Sequence, residues 1–187
     1  TVNSTDPIFD NWQQGGLNPG DNGYEAGLGT HITGEDLGTG LGFDASTTGD
    51  PSMYTFDNDN TDNDNTAWSS VPNTDTKTLS AGEAYRIFIR GDREYNLNAD
   101  PGDTDFGPNS DVTLRTTGSL VTGDQNFSNL SSTADFFSLV GNPYQARVDI
   151  TQVLNATNSN NVNTGFYWVW DPNLDKPTGD GASGAYV

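Results

Sequence analysis

The residues best suited to chemistry in this sequence lie between positions 57 and 65. This run contains four carboxylates and four amides, which belong to Asp57, Asn58, Asp59, Asn60, Asp62, Asn63, Asp64 and Asn65. Hard cations prefer oxygen ligands, and Ca²⁺ accepts roughly six to eight of them in a flexible geometry. The pattern therefore predicts a Ca²⁺ site whose carboxylate ligands are Asp57, Asp59, Asp62 and Asp64.

Two later loops offer the same chemistry at a looser spacing. Their oxygen ligands are Asp100, Asp103 and Asp105 in one loop, and Asp171, Asn173 and Asp175 in the other. We rank both behind the 57–65 run, although that run lacks the Gly and the bidentate Glu of an EF-hand. Mg²⁺ suits these loops less well than Ca²⁺, because it demands a near-octahedral site. For each loop the alternative is a solvated acidic surface without metal.

Groups that could catalyse a reaction are sparse. The single histidine, His31, lies in a Gly-rich segment, and the sequence has no G-x-S-x-G nucleophile elbow. We therefore expect His31 to be structural or to lie at the surface. A glycoside hydrolase needs two carboxylates on rigid strands beside a cleft, and only Glu83, Glu94 and Asp149 lie on or near predicted strands. We expect no enzyme, no catalytic residue and no cofactor other than Ca²⁺.

Aromatic residues suggest a binding surface as another kind of site. Phe166, Trp168 and Trp170 would share one face of a strand, as the planar aromatic rows of sugar-binding modules do. We favour core packing for these three rings, because large aromatic side chains dominate protein cores. Trp12 and Trp68 are freer to be exposed.

The tripeptide Arg90-Gly91-Asp92 matches an integrin-recognition sequence. We interpret it as the end of a strand followed by a turn, since Gly readily adopts turn conformations. All five arginines come from the middle of the chain: Arg86, Arg90, Arg93, Arg115 and Arg147. We expect them to form ion pairs across neighbouring strands, each worth about 0–1 kcal/mol if exposed.

The charge of the chain excludes several kinds of partner. Its formal net charge is −19, because 26 acidic residues, 22 of them Asp, face only 7 basic ones. Nucleic acid and anionic lipid both attract Lys and Arg, so neither is an expected partner. No apolar run approaches the roughly 18 residues of a membrane span, so we expect no direct membrane insertion. The sequence has no cysteine and hence no disulfide.

The elements that must position these residues are predicted to be strands. Apolar runs at residues 136–140 and 166–170 flank an alternating segment at 146–150, and we expect these three to form the centre of a sheet. Further strands are predicted at 53–56, 66–71, 83–90 and 112–120, with a short one at 27–34 and helical turns at 130–133 and 151–154. The strands at 53–56 and 66–71 should form a hairpin with a long polar tip.

The fold class that follows is all-β. Short strands separated by Gly- and Pro-rich turns are typical of an antiparallel β-sandwich, here jelly-roll-like with long Asp/Asn/Gly-rich loops. We predict one module over residues 1–187. Residues 1–50 should wrap irregularly around the sheet through apolar anchors such as Ile8, Ile32 and Leu41.

Several blocks of this sequence resemble those of large secreted proteins of the Bacteroidota. Residues 81–93 resemble an AGxxYRxxxRGDR block, and residues 137–144 and 167–172 resemble the LxGNPY and YxWDP blocks that follow it there. Residues 29–34 also fit the upstream region of those proteins. Such proteins are typically exported by the type IX secretion system to the cell surface or the medium. The resemblance implies an extracellular location, and it carries over no catalytic residue.

We therefore predict a non-enzymatic extracellular module with a structural or adhesive role in a bacterial surface protein. The alternative is a carbohydrate-binding module of a secreted multidomain protein. The chain begins and ends in β-prone segments, Thr1-Val2 and Ala185-Tyr186-Val187, so we expect a piece of a longer product. Unpaired strand edges recruit other strands. The partners we expect are thus glycans or further copies of the module, assembled as an oligomer or a filament.

Overall fold

A computed structural model of the chain describes residues 2–14, 27–35, 40–59, 65–93, 96–98, 111–160, 162–165, 167–171 and 185–186. Its elements, in chain order, are β1 (Val2–Asn3), α1 (Ile8–Trp12), β2 (Met53–Phe56), a 3-10 turn (Asn65–Ala67), β3 (Trp68–Ser70), β4 (Tyr85–Ile87), β5 (Ser119–Leu120), α2 (Ile150–Leu154), β6 (Trp170–Asp171) and β7 (Ala185–Tyr186). These strands pair only in antiparallel fashion. Short strands with two short helices are consistent with the predicted all-β class.

The largest sheet has three strands in the order β3-β2-β4. The β2–β3 hairpin forms as the sequence predicts, with Phe56 opposite Trp68. On the other side of β2, Tyr54 lies opposite Arg86 of β4. Because side chains alternate along a strand, one face of this sheet carries Met53 and the other carries Tyr54.

The hydrophobic core lies on the Met53 face of this sheet. Its buried members are Ile8, Ile32, Met53, Val71 and Leu79, with Trp12, Phe43, Tyr85 and Ile87 packed against them. Two of the predicted anchors, Ile8 and Ile32, therefore lie in the core, whereas a third, Leu41, is exposed. Irregular chain covers this face of the sheet, so its backbone must find hydrogen-bond partners outside regular strands.

Helix α1 obtains such partners at its start. The backbone N–H of Ile8 donates to the Lys77 carbonyl at 2.8 Å, and that of Phe9 donates to the Thr74 carbonyl at 2.9 Å. The first N–H groups of a helix have no partner within it, so the loop at 74–77 supplies them. The buried Asn11 amide adds hydrogen bonds to Ser4 Oγ and to two carbonyls of the same turn.

Other predicted strands form in part. Of residues 83–90 only Tyr85–Ile87 is a strand, and Ile89, two residues beyond its end, is exposed. Of residues 112–120 only Ser119–Leu120 is a strand, and it pairs with β1. The segment 27–34 contributes isolated bridges at Leu28 and Thr33 instead of a strand.

The prediction of a central strand at residues 136–140 is wrong. These residues form no strand, and Phe137 is 53% exposed. The Asn58 side chain holds Leu139 instead: Asn58 Oδ1 accepts from the Leu139 N–H at 2.7 Å, and Asn58 Nδ2 donates to the Leu139 carbonyl at 3.3 Å. One amide side chain thus makes the two hydrogen bonds that a neighbouring strand would have made. The helical turn expected at 130–133 is also absent.

The strand predicted at 146–150 is wrong, and the one predicted at 166–170 forms only at its end. Asp149 accepts hydrogen bonds from the backbone N–H groups of Thr151 and Gln152, so it caps α2 and ends the extended segment. The helical turn predicted at 151–154 is confirmed as part of α2. Among the described residues 167–170, only Trp170 belongs to a strand, and Trp168, expected in the core, is 48% exposed.

The chain divides into two compact units, Thr1–Ala146 and Arg147–Val187. The first contains the three-stranded sheet and the core. The second contains α2 and the two-stranded ribbon in which Trp170 pairs with Tyr186. Within the described residues, no helix has the length and apolar character required to cross a membrane.

We predict that the Asn58 side chain stabilises the segment around Leu139. Asn58→Ala removes both hydrogen bonds and should lower the free energy of unfolding by about 1–3 kcal/mol. Hydrogen exchange at the Leu139 amide should accelerate, whereas Asn58→Asp, which keeps the acceptor, should preserve much of that protection. Asn160→Ala is the control, because that exposed side chain bonds only to a nearby carbonyl. Unchanged exchange at Leu139 in Asn58→Ala would contradict this account.

Candidate functional site

The outer face of the three-stranded sheet carries a cluster of rings around one cation. We call this set the aromatic face: Tyr54, Phe56, Trp68, Arg86 and Phe88. Tyr54 and Phe56 alternate with the inward residues of β2, and Arg86 and Phe88 alternate with Tyr85 and Ile87 of β4. The strand register therefore brings residues far apart in sequence onto one surface.

Arg86 lies over three of these rings. Its guanidinium carbon is 5.0 Å from the Trp68 ring centroid, 5.2 Å from that of Tyr54 and 5.7 Å from that of Phe88. Cation–π contacts of this length contribute about 0.5–1 kcal/mol each at exposed sites. Phe88 is 52% exposed, and Arg86 is exposed as well. The cluster is therefore open to solvent and also internally organised.

The aromatic face has charges of opposite sign on its two sides. Phe56 and Trp68 form an edge-to-face pair with ring centroids 5.1 Å apart. Ser70 lies opposite Tyr54, on the side away from Arg86, and its hydroxyl donates to a Glu35 carboxylate oxygen at 2.6 Å. The positive group thus lies on the β4 side of Tyr54, and the negative group lies on the β3 side.

A second cluster lies buried around the Asp44 carboxylate. One oxygen accepts from Arg93 Nη2 at 2.6 Å and Arg93 Nε at 3.0 Å. The other accepts from the Ile32 backbone N–H and from Gln13 Nε2, both at 3.0 Å. His31 Nδ1 lies 3.5 Å from that same oxygen, and His31 is only 2% exposed. A buried charge requires such pairing, because an unpaired one costs several kcal/mol.

These contacts decide the ionisation of Asp44. Burial alone raises the pKa of the carboxyl, but the hydrogen bond from His31 and the charge of Arg93 outweigh it and lower the pKa below its ordinary value. Arg93 also donates from Nη1 to the Gln13 carbonyl at 2.6 Å. Asp44 therefore joins the end of α1, the segment of His31 and the turn of Arg93. His31 thus has a structural partner in the buried Asp44 carboxylate.

The tripeptide Arg90-Gly91-Asp92 belongs to the same buried region. Asp92 is only 5% exposed, and its carboxylate accepts from the Gly27 N–H at 3.3 Å. Gly91 adopts a φ of +82°, a conformation that suits glycine. Its carbonyl accepts from the Thr30 hydroxyl at 2.7 Å. An adhesion tripeptide must expose its Asp to a receptor, so this geometry favours the turn interpretation.

The carboxylates considered for catalysis have structural partners. Glu83 accepts from Lys77 Nζ at 2.9 Å and from the Tyr85 hydroxyl at 2.5 Å. Burial and the Glu83 carboxylate together raise the pKa of Tyr85 above its ordinary value. Asp149 caps α2, and Glu94 lies outside the described residues. The two described carboxylates therefore serve local structure in this geometry.

The predicted metal ligands are described only in part. Asp57 Oδ1 accepts from the Asp59 backbone N–H at 2.9 Å, so these two residues form a local turn at the end of β2. Asp171 lies in β6. The other predicted ligands lie outside the described residues: Asp62, Asp64, Asp100, Asp103, Asp105, Asn173 and Asp175. Among described side chains, no group of three or more acids or histidines is suited to hold a metal, so Ca²⁺ stays a prediction.

The aromatic residues singled out from the sequence have mixed outcomes. Trp68 lies half-buried on the outer face, whereas Trp12 packs against the core and its indole N–H donates to Thr116 Oγ1 at 3.0 Å. Phe166 and the Trp170 side chain lie outside the described set. The aromatic face itself was not predicted, although the alternation of Arg86 and Phe88 against Tyr85 and Ile87 was a signal for it.

No protein-family model, curated protein or solved structure that was compared with this chain matches it. The resemblance to secreted Bacteroidota proteins therefore stays a prediction. Function has to follow from the residues of the two clusters.

We predict that Asp44 stabilises the fold in a pH-dependent way. Its pKa is lower in the folded chain than in the unfolded chain, so its contribution is complete above the ordinary Asp pKa of about 3.9. That contribution is lost as the pH falls through the lowered folded value, because the unfolded chain then binds more protons. At neutral pH Asp44→Asn should lower the free energy of unfolding by about 3–5 kcal/mol, since it breaks a buried pair.

The measurement is chemical denaturation of both proteins at a series of pH values. The gap between wild type and Asp44→Asn should narrow as the pH falls below the ordinary Asp pKa. Asp124→Asn is the control, because that carboxylate is exposed and its loss should leave stability within about 0.5 kcal/mol. A gap that stays constant down to the acid limit of folding would contradict the lowered pKa of Asp44.

Proposed function

We propose that this chain is a non-enzymatic extracellular module of a bacterial surface protein and that it adheres to its target through the aromatic face. The supporting observation is the cluster of Tyr54, Trp68 and Phe88 around Arg86 on an open sheet surface. Rings and arginine are the side chains that most often dominate binding energy at interfaces. A purely structural module has less use for such a cluster on its solvent side.

The contact surface is already organised before a partner binds. Arg86 is held over three rings, and the strand register fixes the positions of Tyr54, Trp68 and Arg86. Binding therefore orders few additional side chains, each of which would cost about 0.5–1.5 kcal/mol.

Carbohydrate binding is the second candidate, and the same cluster favours it. Aromatic rings carry negative faces that attract the C–H groups of sugars. The Arg86 guanidinium makes no hydrogen bond to the described residues, and a guanidinium offers five N–H donors to sugar oxygens. Under this candidate the module would direct a secreted multidomain protein to a polysaccharide.

The extracellular location belongs to the proposal through the sequence blocks that resemble exported Bacteroidota proteins. A net charge of −19 supports it, because strong charge keeps a protein soluble outside the cell. The finer architecture that we propose is an antiparallel β-sandwich, jelly-roll-like in its connections, forming one module. We also propose that copies of the chain form filaments through strand edges. The 57–65 loop is proposed to bind Ca²⁺.

The adhesive function predicts a specific loss on changing Trp68. The purified full chain should show saturable retention on at least one surface from a panel of immobilised polysaccharides and extracellular matrix extracts. Trp68→Ala should weaken this retention at least roughly tenfold, since truncation of a central aromatic anchor costs about 2 kcal/mol or more. Trp168→Ala is the matched control, because this exposed tryptophan lies in the second unit.

Circular dichroism and the thermal midpoint of each variant report whether the fold is intact, and Trp68→Phe tests the ring with less disturbance. Equal retention of wild type and Trp68→Ala would contradict the aromatic face as the contact surface. An absence of saturable retention on every surface would leave only a structural role. Turnover of any polysaccharide would contradict the non-enzymatic assignment.

A further inference from the structure

We propose that the aromatic face binds polysaccharides that carry carboxylate groups, with the Arg86 guanidinium paired to a sugar carboxylate. The rings of Trp68 and Phe88 would contact the C–H groups of the same or the adjacent sugar. This inference rests on the proposed adhesive function and names the ligand class of that surface.

The charge of Arg86 is the first reason. The chain has 26 acidic residues for 7 basic ones, so carboxylates are abundant. Arg93 pairs with Asp44 at 2.6 Å, and Lys77 pairs with Glu83 at 2.9 Å. Arg86 pairs with no carboxylate in the described part of the chain and lies against rings instead. It therefore presents a positive charge that the surrounding described structure does not neutralise.

The shape of the guanidinium is the second reason. Its planar fork matches a carboxylate with two parallel hydrogen bonds, a geometry that lysine cannot reproduce. Contacts with three rings at 5.0–5.7 Å hold the guanidinium in place. A carboxylate that binds there meets a pre-organised partner, so less side-chain entropy is lost on binding.

The position of Glu35 sets the direction of the ligand. Glu35 is hydrogen-bonded to Ser70, and Tyr54 separates Ser70 from Arg86 across the sheet. A ligand carboxylate would be repelled on the β3 side and attracted on the β4 side. Its sugar rings then extend from Arg86 over Phe88 or Trp68, two of the three rings that contact the cation.

The net charge of the chain does not prevent this binding. The Debye length at physiological ionic strength is about 8 Å, so carboxylates farther away are largely screened from the ligand. A polysaccharide chain is narrow, so only the carboxylates of the few bound sugars come close to the protein surface.

The test uses calorimetric titration of the full chain with oligomers of galacturonic acid and with their methyl esters. The ester keeps the sugar and removes the charge, so the pair of probes isolates the carboxylate. We expect the acid to bind at least roughly tenfold more tightly than the ester, as a charge-assisted hydrogen-bonded pair requires. Oligomers of mannuronic acid extend the test to a second uronic acid.

Variants locate the effect on the surface. Arg86→Gln should remove the preference for the acid, and Arg86→Lys should restore it only in part because it lacks the planar fork. Arg147→Gln is the matched control: it removes the same charge from an exposed arginine in the second unit, and it should bind like wild type. Raising the salt concentration should weaken binding of the acid but leave binding of the ester nearly unchanged.

Two results would overturn this inference without touching the adhesive function. One is equal binding of acid and ester by a protein that still depends on Trp68. The other is no binding of either oligomer by a protein that is retained on another surface through Trp68. A protein with neither oligomer binding nor surface retention would overturn both proposals together.

Discussion

The Asp44 carboxylate is the interaction on which the rest of the first unit depends. Its two oxygens accept from Arg93, Gln13 and Ile32, and His31 lies against it. These partners come from segments that have little regular structure of their own. The buried Asp44 carboxylate supplies hydrogen-bond partners to several of these segments at once, and its removal would leave the Arg93 charge buried without its partner.

The aromatic face is a consequence of that arrangement. The segments tied to Asp44 cover the inner side of the three-stranded sheet, where Met53 and Ile32 are buried. The outer side is thereby left to Tyr54, Trp68 and Arg86, which a strand places opposite the core residues by its alternation. Because the segments joined at Asp44 cover the inner side of the sheet, its outer side can expose these rings and Arg86 to solvent.

The sequence predicts those parts of the fold that local patterns encode. The β2–β3 hairpin and β4 follow from alternation with period two, and α2 follows an Asp that caps it. The strand at 136–140 could not be judged locally, because Asn58, far away in sequence, occupies its backbone groups. The cluster at Asp44 gives no periodic signal, since its partners lie in irregular segments. Predicting the aromatic face required knowing which residues of neighbouring strands lie opposite each other, and the sequence alone does not fix that register.

The most direct measurement is a nuclear magnetic resonance titration of the intact chain with an oligomer of galacturonic acid, observed at the tryptophan indole and arginine side-chain N–H signals. We expect the largest shifts at Trp68 Nε1–H and Arg86 Nε–H, with Trp12 and Arg93 unchanged because Trp12 packs against the core and Arg93 is paired with Asp44. Shifts confined to Trp168, or to residues away from the outer sheet face, would contradict this expectation.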